Sequence, residues 1–165
     1  MKPLNYMIGD ATNPVGDGQK VIAHICNDLG KWGRGFVTAL SKKWKNPEHM
    51  YRAWWHNSKN QESYKEFKLG NIQFVKVDHD IHVVNMIAQK GINKKNDIKD
   101  RIDYKALMEC LIRIKGTIIL SEGFTVHMPK IGSGLAGGDW NKIEEMIEDI
   151  LCADDIEVFV YQLEK

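Results

Sequence analysis

Two stretches of this sequence carry the residue types that bind anions. The first reads Asn27-Asp28-Leu29-Gly30-Lys31-Trp32-Gly33-Arg34-Gly35-Phe36, the second Ile131-Gly132-Ser133-Gly134-Leu135-Ala136-Gly137-Gly138-Asp139. Glycine reaches backbone conformations closed to other residues and has no side chain to hold a phosphate away. Successive N–H groups in such a turn, beside a helix N-terminus, make a concave anion site. Neither stretch is a P-loop, because GxxxxGK[ST] is absent, and neither completes GxGxxG. Two facing loops could clamp a diphosphate; plain structural turns are the alternative. Gly134 is expected at positive φ, and Ser133 and Gly134 are expected as backbone donors. Lys31 and Arg34 either add charge beside the anion or are simply solvated.

Two titratable residues sit next to these loops. His24 lies three residues before Asn27, where a strand would open into the first loop, so general acid/base work is possible. A lone histidine in an apolar strand is otherwise a satisfied core residue. Asp139 precedes a helix and would cap it; if Asn141 caps instead, with Glu144 completing a capping box, Asp139 is spare for chemistry.

Loops of this kind need a strand before and a helix after. Val21–Cys26 (VIAHIC) is apolar throughout and reads as a strand buried on both faces, with His24 on the side of Ile22 and Cys26. Phe36–Trp44 reads as a helix. Asn46-Pro47 looks like the start of another, with Asn46 as its cap and with Met50, Tyr51, Trp54 and Trp55 packing one face against the core. Asn5–Ile8, the hairpin Ile72–Val77 and Ile81–Ile87, Thr125–Met128 and Glu157–Leu163 are further strands. Gln89–Asp103 is polar and lysine-rich, an exposed loop that either covers the cleft or is only solvated. Tyr104, Leu107, Met108 and Leu111 mark an amphipathic helix that could run on towards Leu120. Ile143, Met146, Ile147, Ile150 and Leu151 mark the most regular helix. Alternation of this kind predicts a mixed sheet between helical layers, with its ligand site at the carboxyl ends of the strands, where both glycine loops fall.

The whole chain sets limits. Its 165 residues, 43% hydrophobic, fit a single domain over 1–165. A formal charge of +1 argues against a broad basic face for nucleic acid, so Trp32, Trp54, Trp55 and the Lys90–Lys99 loop are not read as a single-strand platform. No run is long and apolar enough to span a membrane, and the N-terminus lacks a signal-type apolar region, so a cytoplasmic protein is expected. Cys26, Cys110 and Cys152 lie far apart without a CxxC, so no disulfide framework and no metal site are expected.

The chain resembles the macrodomain family. Tyr6-Met7-Ile8-Gly9-Asp10-Ala11-Thr12 is similar to the opening strand whose Gly-Asp ends near an adenine. His24-Ile25-Cys26-Asn27 is similar to the strand end that meets the distal ribose. Trp32–Phe36 and Met128–Trp140 are similar to the two diphosphate loops. The resemblance implies a three-layer α/β/α macrodomain with a mixed central sheet and an ADP-ribose ligand. It places Asp10 and Ala11 at the adenine, Asn27 at the ribose, and Gly33, Arg34, Gly35, Phe36, Ile131, Gly132, Ser133, Gly134, Leu135 and Ala136 along the diphosphate. Asp10 could equally be a turn aspartate, Asn27 a turn residue at positive φ, and Tyr161 a core residue rather than a stacking one.

Within the family the likeness is to the ADP-ribose 1''-phosphate phosphatase group, through the His before the Asn, the run Asn85-Met86-Ile87-Ala88-Gln89 and the ending Gly-Leu-Ala-Gly-Gly-Asp-Trp. This implies a metal-independent, cofactor-free, monomeric phosphomonoester hydrolase with His24 and Asp139 as its catalytic pair. A binding module without turnover and a hydrolase of ADP-ribosylated macromolecules are the alternatives. The glutamate-directed version of the latter uses a Lys and an Asp where this chain has Gln89 and Ala136, with Lys90 one residue away.

Overall fold

The structure, a computed structural model, describes residues 1–60, 67–121 and 123–164. Six strands form one sheet: β1 (Leu4–Ile8), β2 (Lys20–Asn27), β3 (Ile72–Asp78), β4 (Ile81–Gln89), β5 (Thr125–Pro129) and β6 (Val158–Gln162). Their order is β1-β6-β5-β2-β4-β3. Only β3 runs antiparallel, as the near arm of its hairpin with β4. The helices are α1 (Phe36–Lys43), α2 (Asn46–Asn60), α3 (Tyr104–Ile118) and α4 (Trp140–Ile150).

Alternation along β2 builds the layers. Val21 and Ala23 face the large core shared with Leu107, Leu111 and Ile114 of α3 and Ile143 and Ile147 of α4. Ile22 faces the other way, with Leu40 of α1, and Cys26 joins Tyr51 and Trp54 of α2. β2 is therefore sealed on both faces, which is why its apolar run shows no alternation. The mixed sheet between helical layers is present as expected.

Several details differ. Met50 and Met108 point outward, 47% and 41% exposed, and Cys110 takes the core position beside Leu107 and Leu111. The Lys45 carbonyl accepts the first helical bond of α2, from the His49 amide at 3.2 Å, so Lys45 rather than Asn46 occupies the cap position. α3 tolerates Gly116 but stops at Ile118. The 90–103 segment is not merely solvated: Ile102 is buried in the main core and its backbone is pinned at several points.

Candidate functional site

The carboxyl ends of β2 and β5 open into the two glycine loops, and a cleft runs between them. It consists of three adjoining hollows. The first is lined by Asp10, Thr12, Gly35, Thr38, Lys42 and Lys43. The middle one lies between Arg34–Val37 of the first loop and Gly132, Gly134, Leu135 and Ala136 of the second. The third, a cavity of about 480 Å³, is lined by Asn27, Lys31, Trp32 and residues 92–95. Gly35 borders the first two; Arg34, Gln89, Leu135 and Ala136 border the last two.

The loops leave backbone donors open to this cleft. Gly35 caps α1 at φ 86 and ψ −127, a conformation reserved for glycine. Among the described residues, the N–H groups of Gly33, Arg34, Gly35, Phe36 and Val37 take no hydrogen-bond partner, and neither do those of Gly134, Leu135 and Ala136. A Cβ built on Gly33, Gly35 or Gly134 would meet nothing within 4 Å. Gly134 is not at positive φ, contrary to expectation; Gly132 (φ 72) and Gly137 (φ 73) make the turn instead. Ser133 is also misread: its hydroxyl and its N–H both turn back to the Lys130 carbonyl, at 2.9 and 3.4 Å, and it lines none of the hollows. Ile131 is buried in the main core and Phe36 packs on the α1 side of the sheet; both still border the middle hollow.

The side chains expected to do chemistry are largely occupied. Asp10 makes a tight turn, its Oδ1 accepting from the Thr12 amide (2.8 Å) and hydroxyl (2.9 Å), with Ala11 buried behind it. It nevertheless borders the first hollow. Asn27 knits its own loop. Its Oδ1 accepts from the amides of Leu29 (3.0 Å) and Lys31 (3.2 Å), its Nδ2 donates to the Lys31 carbonyl (2.6 Å), and the Tyr51 hydroxyl donates to its carbonyl (2.5 Å). It does not take positive φ.

His24 is 2% exposed, on the floor of the middle hollow. Its Nε2 lies 2.5 Å from Asn85 Oδ1. The Asn85 amide nitrogen donates to Gln73 Oε1 (3.0 Å) and to the Pro47 carbonyl (3.2 Å), so Oδ1 is left to accept and Nε2 carries the proton. Trp32 stands edge-on to the ring at 5.4 Å, and Phe36 lies tilted to it at 5.9 Å. Burial drives the imidazole pKa down to about 4, against the partial support of Asn85. His24 is thus the satisfied core histidine, neutral at physiological pH, and holds no extra proton for a leaving group.

Asp139 caps α4: its Oδ1 accepts from the Asn141 amide at 3.0 Å, and its N–H donates to the Tyr104 hydroxyl. The expectation that Asn141 caps and leaves Asp139 spare is overturned; Asn141 lies two residues further in, within the first turn, and its amide is the group that Asp139 caps. Asp139 is exposed and lines none of the hollows, so the two residues are not brought together across the cleft. Tyr161 fills the core, 5% exposed, with its hydroxyl between the Val15 amide and His127 Nδ1.

Sequence reasoning missed the supports. Trp32 is pinned by its indole N–H to Ser41 (2.8 Å), which donates in turn to Glu48 (3.0 Å). Tyr51, Asn85 and Gln73 hold the floor, and Asn93 ties the 90–103 segment to the second loop. Trp32, between Lys31 and Gly33, was legible; Asn93 sits among polar residues with nothing to mark it. Among the described residues, the cluster of three groups with metal-ligand spacing, Asp78, His79 and Asp80, occupies the β3–β4 turn, at the far end of β4 from Gln89. No described helix is long and apolar enough to cross a membrane.

Comparison with known proteins places this geometry. No protein-family model matches the chain. A solved structure of a protein of unknown function from Bacteroides thetaiotaomicron is 46% identical, with a TM-score of 0.87 over 97% of this chain and 98% of that one. A macrodomain protein from Streptomyces coelicolor is 41% identical, with a TM-score of 0.82 over 97% of this chain and 99% of its own. Among curated relatives, mouse chromodomain-helicase-DNA-binding protein 1-like is 27% identical over 96% of this chain, which spans only 17% of that protein's length. The Candida albicans ADP-ribose 1''-phosphate phosphatase is 25% identical over 96% of this chain and 98% of its own length.

Proposed function

The chain belongs to the macrodomain family, and from that premise we propose that its cleft binds ADP-ribose and releases the terminal phosphate of ADP-ribose 1''-phosphate. One observation carries the binding: two sets of unpartnered backbone N–H groups, residues 33–37 and 134–136, border one cleft between a carboxylate at one end and an amide at the other. N–H groups left open at a loop and a helix N-terminus are donors available to an anion. A diphosphate bridging the loops satisfies both sets. Asp10 then lies where an adenine amino group can donate to it. Asn27, with one amide hydrogen still free, lies at the distal ribose.

The catalytic step rests on the likeness to yeast phosphatases over almost their whole length. In it, water attacks phosphorus, the bond from phosphorus to the C1'' oxygen breaks, and the leaving oxygen takes up the proton that the attacking water loses. The loop amides and the cations Lys31 and Arg34 stabilise the charge gathering on the phosphoryl oxygens. His24, sealed and neutral, and Asp139, capping α4, supply no acid–base pair, and this favours a second reading, ADP-ribose binding without turnover. Gln89 and Ala136 both border the cleft, and neither offers the Lys and Asp of the glutamate-directed hydrolases.

Titration calorimetry with ADP-ribose tests the binding, and phosphate release from ADP-ribose 1''-phosphate in EDTA tests the turnover. Saturable binding with phosphate release is the expected result. Binding without release leaves the second reading, and no binding removes both.

A further inference from the structure

The third hollow is ringed by cations. Lys31 and Arg34 come from the first glycine loop, Lys94 and Lys95 from the segment between β4 and α3, and no carboxylate lines it. The chain has 23 basic and 22 acidic residues, so the imbalance is local. Among the described residues none of these four side chains has an ion-pair partner, whereas neighbouring Lys99 is paired with Asp97 at 3.7 Å. Unneutralised cations converging on a concavity raise the local concentration of anions.

The segment that carries Lys94 and Lys95 is strapped across both glycine loops. The Gly91 amide donates to Asp28 Oδ1 (2.9 Å), at the start of the first loop. The Arg101 amide donates to the Ala136 carbonyl (2.8 Å) in the second. Asn93 is the knot: its Nδ2 donates to the carbonyls of Leu135 (2.9 Å) and Lys99 (2.6 Å), and its Oδ1 accepts from the Lys99 amide (3.1 Å) and Arg101 Nε (3.0 Å). The residue next to this knot is Lys94.

We propose that this strap selects a distal ribose bearing a phosphate over one bearing a hydroxyl, with Lys94 and Lys95 as the discriminating cations and Asn93 as the residue that positions them. The proposal rests on placing the distal ribose at the Asn27 end of the cleft. A phosphate dianion gains from each nearby cation, while a neutral hydroxyl gains almost nothing. The strap therefore sets the ratio of the two affinities and leaves that for ADP-ribose itself nearly untouched. Because the lysines are exposed, the ratio falls as salt is raised.

The test compares the double variant Lys94→Ala/Lys95→Ala, Asn93→Ala, the charge-keeping double Lys94→Arg/Lys95→Arg, and Lys76→Ala on the edge strand as a remote loss of charge. For each, calorimetry gives Kd for ADP-ribose, and steady-state phosphate release gives KM for ADP-ribose 1''-phosphate; without turnover the same titration gives its Kd. We expect the alanine double to weaken the phosphorylated ligand about tenfold and ADP-ribose less than about twofold. Asn93→Ala lowers the ratio in the same direction. The arginine double and Lys76→Ala keep it. Equal loss for both ligands, or an unchanged ratio in the alanine double, overturns the proposal while the cleft's assignment stands. Failure of the unaltered protein to bind ADP-ribose overturns that assignment instead.

Discussion

The floor of the cleft and its rim are made of neighbouring residues that treat their polar groups in opposite ways. On the floor most groups are matched: His24 to Asn85, Asn85 to Gln73 and Pro47, Asn27 to Tyr51 and to its own turn, with one Asn27 amide hydrogen left over. On the rim the amides of 33–37 and 134–136 are open and Lys31, Arg34, Lys94 and Lys95 are unpaired. The glycines divide the same way. Gly33, Gly35 and Gly134 face empty space, while a Cβ on Gly137 would strike the Lys99 carbonyl and one on Gly30 the Trp55 ring. Folding uses most of the hydrogen-bonding capacity of the floor, and on the proposed reading the groups left open on the rim serve the ligand. Changes to the floor should therefore appear as lost stability, and changes to the rim as lost binding.

Acid gives the largest break in that division. His24 and His127 are both buried, and burial lowers each pKa from the ordinary 6.5 to about 4. The unfolded chain takes up protons as pH falls through 6.5, and the native chain does not until about 4. Stability is thus full above the upper value and lost progressively towards the lower. Each histidine contributes at most about 3 kcal/mol to that loss. Urea midpoints measured across this window should fall steeply. A flat profile would mean that His24 charges freely in the native state, which would return it to the candidates for catalysis.

Next in size is the contrast between two glycines three residues apart. Gly137→Ala must hold φ 73 against a backbone carbonyl, and should cost about 2–3 kcal/mol in thermal or urea unfolding. Gly134→Val should leave stability within about 0.5 kcal/mol, because its φ is ordinary and the space is open. Its methyl groups occupy the middle hollow, so ADP-ribose affinity should fall at least about tenfold. Normal affinity in that variant would separate the second loop from the diphosphate.

The fold was legible because its signals are local and redundant. The sealed run Val21–Cys26, the hairpin and the Ile143–Leu151 spacing each imply a single element, and the elements agree on one architecture. The two glycine loops were legible as strand-to-helix junctions for the same reason. Which of their glycines face open space was not, since that depends on what lies opposite each one, and Lys99 and Trp55 come from elsewhere in the chain. The state of His24 was hidden in the same way: burial beneath Trp32 and Phe36 keeps it neutral, against the hydrogen bond to Asn85, 61 residues away, which favours the charged form.

The smallest effect separates capping from catalysis at Asp139, which ends the second loop and belongs with neither floor nor rim. Its carboxylate holds the Asn141 amide at 3.0 Å at the start of α4, where a negative charge also meets the positive end of the helix dipole. Asp139→Ala should therefore lower stability by about 1 kcal/mol. Asp139→Asn should recover most of that, because asparagine caps nearly as well and only the charge term is lost. Phosphate release and ADP-ribose affinity should be near those of the unaltered protein in both variants. A general acid or base would behave otherwise: turnover would drop by roughly 10²–10⁴ in Asp139→Ala and stay low in Asp139→Asn, with stability restored in the latter. A stable, slow Asp139→Asn protein would thus mean that the aspartate reaches the substrate, and that the second loop moves on binding to bring it there.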